Sequence, residues 1–214
     1  MKVEAKICGL TDPVAVETAM AGGARHIGLV FFPKSPRNIA PAAAAELSRM
    51  ASTTTSVVGL FVDPTDAFLE EVVAQVPLNI LQLHGKETPA RVAEIRARWS
   101  TPVMKAISLA TADDLAVVPA YEAVADRLLF DAKLPPGVLG LPGGNGLQFD
   151  WTLLAGRRFQ RPWMLAGGLT PENVVAAVQA TGAPAVDVSS GVEDRPGHKS
   201  PPRISAFLDA LRTL

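Results

Sequence analysis

Apolar residues recur along this chain in eight short runs, most of them followed by a stretch with a helical repeat. The runs are Val3–Ile7, His26–Phe31, Ser56–Val62, Asn79–Leu83, Val103–Ile107, Arg127–Phe130, Trp163–Ala166 and Ala185–Val188. In the first, Val3, Ala5 and Ile7 alternate with Glu4, Lys6 and Cys8, the period of two expected of a strand. After several runs, residues suited to a buried face step by three or four. These are Ala15, Thr18 and Ala19; Phe68, Leu69, Val72, Val73 and Val76; Val92, Ile95 and Trp99; Val174, Val175 and Val178; and Ile204, Phe207, Leu208 and Leu211. That spacing predicts amphipathic helices. Fainter helical patterns lie around Asp113–Val118 and Asp150–Leu154. The pairs Asp12–Pro13, Asp63–Pro64, Thr88–Pro89 and Thr170–Pro171 combine a capping residue with a first-turn proline and mark helix starts.

Most runs begin about 24 residues apart, the unit length of a compact (β/α)8 TIM barrel of eight parallel strands. A doubly wound open sheet is the competing arrangement. No linker divides the chain, so residues 1–214 are expected to form one barrel domain. The one long irregular segment, Ala132–Gly146, has the length of a functional loop.

Composition narrows the picture. A chain of 214 residues is long enough to close a core, and its single cysteine cannot form an internal disulfide. The net charge of -1 lacks the basic excess of a general nucleic-acid binder. No apolar run approaches the roughly 20 residues of a membrane span, and MKVEAKICG lacks the apolar segment of a signal peptide. A soluble cytoplasmic enzyme or small-ligand binder is expected, with no obligate protein partner evident.

Candidate chemistry collects where runs end. Cys8 closes the first run before Gly9, and in parallel α/β proteins reacting groups gather at that end of the strands. His84 holds the same place on the fourth run. Lys6, Gln82 and Lys105 are expected to point inward one layer below, as a buried polar network. Asp131 follows Leu128–Leu129–Phe130 and is a candidate general acid, its proton retained through partial burial; a loop salt bridge with Lys133 is the other reading. Arg37, in the proline-stiffened Phe32–Asn38 loop, suits a bidentate grip on a carboxylate or phosphate. Asp187, an acid in an apolar run, either pairs with Lys6 or contacts a substrate hydroxyl. Glycine turns follow the last two runs at Gly167–Gly168 and Ser190–Gly191, and with Gly144 they could seat a phosphate on backbone N–H groups. His26, His84 and His198 lie in separate units without ligand spacing, and no P-loop or dinucleotide glycine fingerprint is present.

Taken together, KICGLT at 6–11, FPKSPR at 32–37, VGLFV at 58–62, LQLHG at 81–85, DAK at 131–133, GGNG and FDW between 143 and 151, LAGGLTPENV at 165–174 and VDVSSGVE at 186–193 resemble the phosphoribosylanthranilate isomerases of tryptophan biosynthesis. The resemblance implies a (β/α)8 barrel with no metal or cofactor, acting on a small phosphosugar–anthranilate substrate by an Amadori rearrangement. It implies Cys8 as general base, Asp131 as general acid and Arg37 as the holder of the anthranilate carboxylate. Three positions depart from the family pattern: Asn145 in the glycine turn, Ser200 where aspartate is usual, and Arg203 near where lysine is common. A related isomerase of an aminoimidazole-carboxamide ribotide would be expected to carry aspartate in place of Cys8, and a metal-dependent epimerase would need clustered ligands. A non-catalytic phospho-ligand sensor need not keep Cys8 together with Asp131.

Overall fold

The computed structural model describes residues 3–135, 137 and 143–214. Part of the expected Ala132–Gly146 loop, at 136 and 138–142, therefore lies outside the described residues. Eight parallel strands close into a barrel in sequence order. They are β1 (Glu4–Cys8), β2 (His26–Phe31), β3 (Ser56–Phe61), β4 (Ile80–Leu83), β5 (Val103–Leu109), β6 (Arg127–Ala132), β7 (Trp163–Leu165) and β8 (Ala185–Val188). Strand β1 pairs with both β2 and β8, and the closing register sets Lys6 opposite Asp187. The eight-stranded barrel expected from the run spacing is thus the fold, and the open sheet is excluded.

Helices α1 (Pro13–Ala21), α2 (Pro41–Arg49), α3 (Asp66–Gln75), α4 (Pro89–Trp99), α5 (Val118–Glu122), α6 (Val174–Thr181) and α7 (Pro201–Leu211) cover the barrel. Asp12 caps α1 by accepting from the Ala15 N–H at 2.9 Å, and Thr88 caps α4 by accepting from the Arg91 N–H at 3.2 Å. The other two polar–proline pairs sit before the helix rather than at it. Asp63 takes a positive φ of 46° and accepts from the Lys86 N–H, and Thr65 caps α3 instead. After Thr170–Pro171 the chain makes a turn, and α6 begins at Val174. The faint patterns near Asp113 and Asp150 are single 3-10 stretches, Ala112–Val117 and Trp151–Leu154, the first running into α5. Beyond β8, a 3-10 turn at Ser190–Val192 leads into a small antiparallel hairpin of β9 (Glu193–Arg195) and β10 (His198–Lys199).

Outward apolar residues decide which way the polar ones face. On β6, Leu128 and Phe130 pack into the layer beneath the helices, with Phe130 against Phe159 and Trp163 at ring separations of 4.7 and 5.6 Å. Burying such a side chain contributes about 1.5–3 kcal/mol, so slipping the strand by one residue would cost both burials and drive Asp131 into apolar packing. Asp131 is therefore aimed into the barrel. Ala5 and Ile7 on β1, Leu81 and Leu83 on β4, and Val186 and Val188 on β8 occupy the same outer layer. They direct Lys6 and Cys8, Gln82 and His84, and Asp187 inward. A second apolar cluster, including Val58, Ile80, Met104, Ala106, Leu129 and Met164, fills the barrel interior.

Lys105 does not join the inward layer. Met104 and Ala106 face the interior, so Lys105 faces the helices. There its ammonium donates to the Glu87 carboxylate at 2.7 Å and to the Gly85 carbonyl at 2.8 Å, beside the Tyr121 ring. Strand β5 is apolar on both faces, so its alternation carries no signal of direction. Glu87 also accepts from the N–H groups of Asp63 and Gly85 and so clamps the turn that follows His84. Glu87→Ala would leave a buried lysine unpaired. It is expected to lower stability by about 3–5 kcal/mol in urea unfolding; a loss below about 1 kcal/mol would mean that water replaces the carboxylate.

Candidate active site

The inward groups meet at the carboxyl end of the barrel. At its base, the Lys6 ammonium donates to Asp187 Oδ1 at 2.9 Å, and the lysine has no solvent exposure. Burial alone would lower the Lys6 pKa, but Asp187 and the neighbouring thiol outweigh it and hold the pKa above its ordinary value. One inward position higher stands Cys8, also buried. Gly28 on β2 faces it: a β-carbon there would lie 2.8 Å from Cys8 Sγ and 3.2 Å from Lys6 Cε, so only glycine leaves room for both side chains. Burial raises the Cys8 thiol above its ordinary pKa. Lys6 and, more weakly, Lys199 pull it back, while Asp187 adds to the rise. Lysines stand near enough to lower the thiol's pKa, and burial outweighs them.

Across the mouth, Asp131 is bound on both oxygens. Oδ1 accepts from the Ala132 N–H at 2.8 Å, and Oδ2 lies 3.1 Å from His84 Nε2. His84 Nδ1 in turn lies 2.9 Å from Gln82 Nε2. The suggested Lys133 bridge to Asp131 does not form; Lys133 pairs with Asp114. Gly143 crosses directly over the pair, where a β-carbon would sit 2.9 Å from His84 Nε2 and 3.0 Å from Asp131 Oδ2.

Arg37 also reaches the mouth, but its fork is engaged. Nε and Nη2 donate to the two Glu193 oxygens at 2.7 and 2.8 Å, and Nη2 also donates to the Gly144 carbonyl at 3.2 Å. Nη1 has no hydrogen-bond acceptor among the described residues. Lys199 donates to Glu193 at 2.7 Å and to the Ser189 carbonyl at 2.9 Å, and the Ser189 hydroxyl donates to the Cys8 carbonyl at 3.1 Å. Burial disfavours a charged Glu193, yet hydrogen bonds from Arg37 and Lys199 hold its carboxyl below the usual carboxylate range. Burial pushes Lys199 down, with Glu193 opposing. Glu193 and Lys199 are site residues that the sequence reading does not reach. Their signal is the two ends of the VE…HK stretch, which only the hairpin brings together.

The glycine turns occupy the neighbouring wall. Gly167 and Gly168 both take positive φ, 88° and 64°, and their N–H groups have no acceptor among the described residues. Ser190 lines the cavity beside them, while Gly191 lies just behind, its carbonyl accepting from Arg203 Nε at 3.0 Å. Gly144 stands against Arg37 rather than in this wall, and Gly146, two residues on, approaches the Ser190 hydroxyl. Ser200 makes no side-chain cap on α7, so this departure from the family pattern leaves the helix start without that bond.

One cavity of about 770 Å³, including its open mouth, is lined by Cys8, Arg37, His84, Asp131, Asp187, Gly144, Gly167, Gly168 and Ser190. A thiol and a carboxyl on separate strands, an arginine, and glycine turns with open N–H groups together define a TIM-barrel enzyme with a site for an anionic small molecule. Among the described residues no cluster of His, Cys, Asp or Glu is grouped to hold a metal ion, and no helix is long and apolar enough to cross a membrane.

Known proteins give the family. The profile described as N-(5'phosphoribosyl)anthranilate (PRA) isomerase matches residues 5–210. The N-(5'-phosphoribosyl)anthranilate isomerase of Rhodospirillum centenum is 61% identical over 214 residues, 100% of both chains. That of Paracoccus denitrificans is 57% identical, covering 97% of this chain and 96% of its own. Phosphoribosyl anthranilate isomerase from Thermotoga maritima superposes with a TM-score of 0.88 at 35% identity, over 99% of this chain and 100% of its own. A phosphoribosyl anthranilate isomerase solved with reduced 1-(o-carboxyphenylamino)-1-deoxyribulose 5-phosphate gives a TM-score of 0.85 at 34% identity, with coverage of 99% and 100%. The chain belongs to the N-(5'-phosphoribosyl)anthranilate isomerase family.

The thiol's environment has a direct consequence. Alkylation of Cys8 by a small uncharged reagent is expected to keep accelerating as pH rises through about 9. A plateau below about pH 8 would show that the cations outweigh burial after all.

Proposed function

We propose that this protein converts N-(5-phosphoribosyl)anthranilate to 1-(2-carboxyphenylamino)-1-deoxyribulose 5-phosphate, with Asp131 as general acid and Cys8 as general base. The observation that carries this reading is that both groups line one cavity from different strands, β6 and β1. Asp131 delivers a proton to the furanose ring oxygen. The C1–O bond breaks, its electron pair goes to that oxygen, and the anthranilate nitrogen's lone pair forms a protonated Schiff base with C1. Cys8, as thiolate, takes the proton from C2. The electrons left behind neutralise the iminium and give an enolamine, which tautomerises to the ketone. Substrate and product are isomers, so no external oxidant or reductant enters.

The thiol must ionise for this step, and burial opposes it. Lys6 below and Lys199 beside it are the groups that stabilise the thiolate as it forms. At one end of the cavity Arg37, steadied by Glu193, offers Nη1 to the anthranilate carboxylate. At the other, the N–H groups of Gly167, Gly168, Ser190 and Gly191 receive the phosphate, which carries roughly -1.5 to -2 charges near pH 7. His84 orients Asp131. Asp187 lines the cavity while paired with Lys6, and in this reading it meets a sugar hydroxyl.

Consumption of fluorescent phosphoribosylanthranilate tests the assignment. Cys8→Ala and Asp131→Asn are each expected to lower kcat by about 10²–10⁴ with the fold intact, the usual yield of acid–base help. A folded variant of either kind with near wild-type turnover removes that residue from the mechanism. Arg37→Lys is expected to raise KM far more than it lowers kcat, since lysine cannot hold Glu193 and a substrate carboxylate at once. An unchanged KM would place the carboxylate elsewhere. Inorganic sulfate is expected to compete with substrate, and binding that leaves the Gly167–Gly168 turn empty would reverse the substrate's direction in the cavity.

A further inference from the structure

Gln82 has no solvent exposure, and its Oε1 has no hydrogen-bond partner among the described residues. An unpaired buried amide oxygen is destabilising, and Gln82's register partner on β5 is Met104, part of the apolar interior. Packing alone gives no reason for an amide here. The feature that uses it is its contact with His84 Nδ1 at 2.9 Å, on the far side of the imidazole from Asp131.

We propose that Gln82 is a positioning residue whose amide orientation sets the protonation of His84 and, through it, whether Asp131 Oδ2 is loaded with a proton. An amide has one donor end and one acceptor end. In the observed orientation Nε2 of Gln82 donates to a bare Nδ1. The imidazole proton then sits on Nε2 and is donated to Asp131 Oδ2, which in this proposal is the one-proton, unloaded state of the pair. A half-turn of the amide brings Oε1 to Nδ1, which it satisfies as an N–H. The pair then holds two protons, the second on Oδ2 or shared with Nε2. Oδ1 is taken by the Ala132 N–H, so Oδ2 is the oxygen that carries the transferable proton. Release of that proton to the ring oxygen, which takes the C1–O electron pair, returns the pair to one proton; uptake of one proton reloads it. The titratable and charged groups around this chain are Cys8, Arg37 and Asp187 in the same cavity, Lys6 beneath them, and the Glu87–Lys105 pair behind the turn after His84.

The inference rests on Asp131 being the acid, and the test separates the two. Nitrogen-15 NMR of His84 in the wild-type protein reads the tautomer directly. The Nε2–H form is expected above the high-pH limb of the kcat profile, with Nδ1 gaining its proton at the pH of that limb. Gln82→Met, which has neither donor nor acceptor, is expected to lower kcat by about 10²-fold through misplacement, with KM little changed and the limb displaced from its wild-type pH. Gln82→Glu keeps the shape, accepts from Nδ1–H and is expected to restore turnover relative to Gln82→Met, with the limb moved to higher pH because a carboxylate favours the protonated Nδ1. A wild-type His84 whose Nδ1 titrates apart from the kcat limb overturns the proposal, as does Gln82→Met with the wild-type pH profile, whatever Asp131 does. Full activity in Asp131→Asn would instead remove the acid, while the His84 spectrum would still decide whether Gln82 sets its tautomer. Should Gln82→Met fail to fold, the wild-type titration and Gln82→Glu decide alone.

Discussion

The Lys6–Asp187 ion pair sits at the seam where the barrel closes, and the mouth is built on it. The two residues are register partners on β1 and β8. Either charge alone inside the barrel would cost several kcal/mol, so they persist only together. A shift of the seam by one residue would separate them and turn Cys8 away from the cavity. The pair thus ties the closing register to the position of the Cys8 thiol, and the raised Lys6 pKa keeps the ammonium charged beneath it.

Around that seam the chemistry is a balance of burial and charge. Burial holds the thiol's pKa above its ordinary value, with two buried lysines near enough to favour the thiolate. The hairpin behind the mouth supports the same corner. Glu193 steadies the Arg37 fork and Lys199, Lys199 reaches Ser189, and Ser189 reaches the Cys8 carbonyl. Arg37 and Cys8, both lining the cavity, are therefore held by one connected set of buried polar groups, in which the loss of one member strands the others.

Much of this is legible in the sequence because it depends on alternation. Strands β1, β4, β6 and β8 each carry apolar residues on one face and polar ones on the other at the mouth, so Cys8, His84, Asp131 and Asp187 can be placed from parity alone. The reading fails where alternation is silent. Strand β5 is apolar on both faces, and parity there turns Lys105 the wrong way. Helix α2, PAAAAELSR, goes unread because its buried face is Ala44, Ala45, Leu47 and Ser48, with a single large apolar side chain to mark the repeat. Arg37 reads as free for a substrate, because nothing local announces that Glu193, 156 residues away, takes its fork. The Glu193–Lys199 support depends on a hairpin whose ladder follows from tertiary contact rather than from a repeating pattern. Gly28 looks like an ordinary strand residue, and its role is visible only when Cys8 is seen across from it.

The central claim is that acid and base flank the sugar while arginine and the glycine turns fix its two ends. A crystal structure of the Cys8→Ala protein with reduced 1-(o-carboxyphenylamino)-1-deoxyribulose 5-phosphate tests it most directly. The account predicts phosphate against the Gly167–Gly168 and Ser190–Gly191 N–H groups, carboxylate on Arg37 Nη1, and Asp131 Oδ2 within about 3–3.5 Å of the oxygen derived from the ring. The methyl group that replaces the thiol is expected to point at C2 from another side. Phosphate on Arg37, or Asp131 turned away from the sugar with His84 between them, would contradict it.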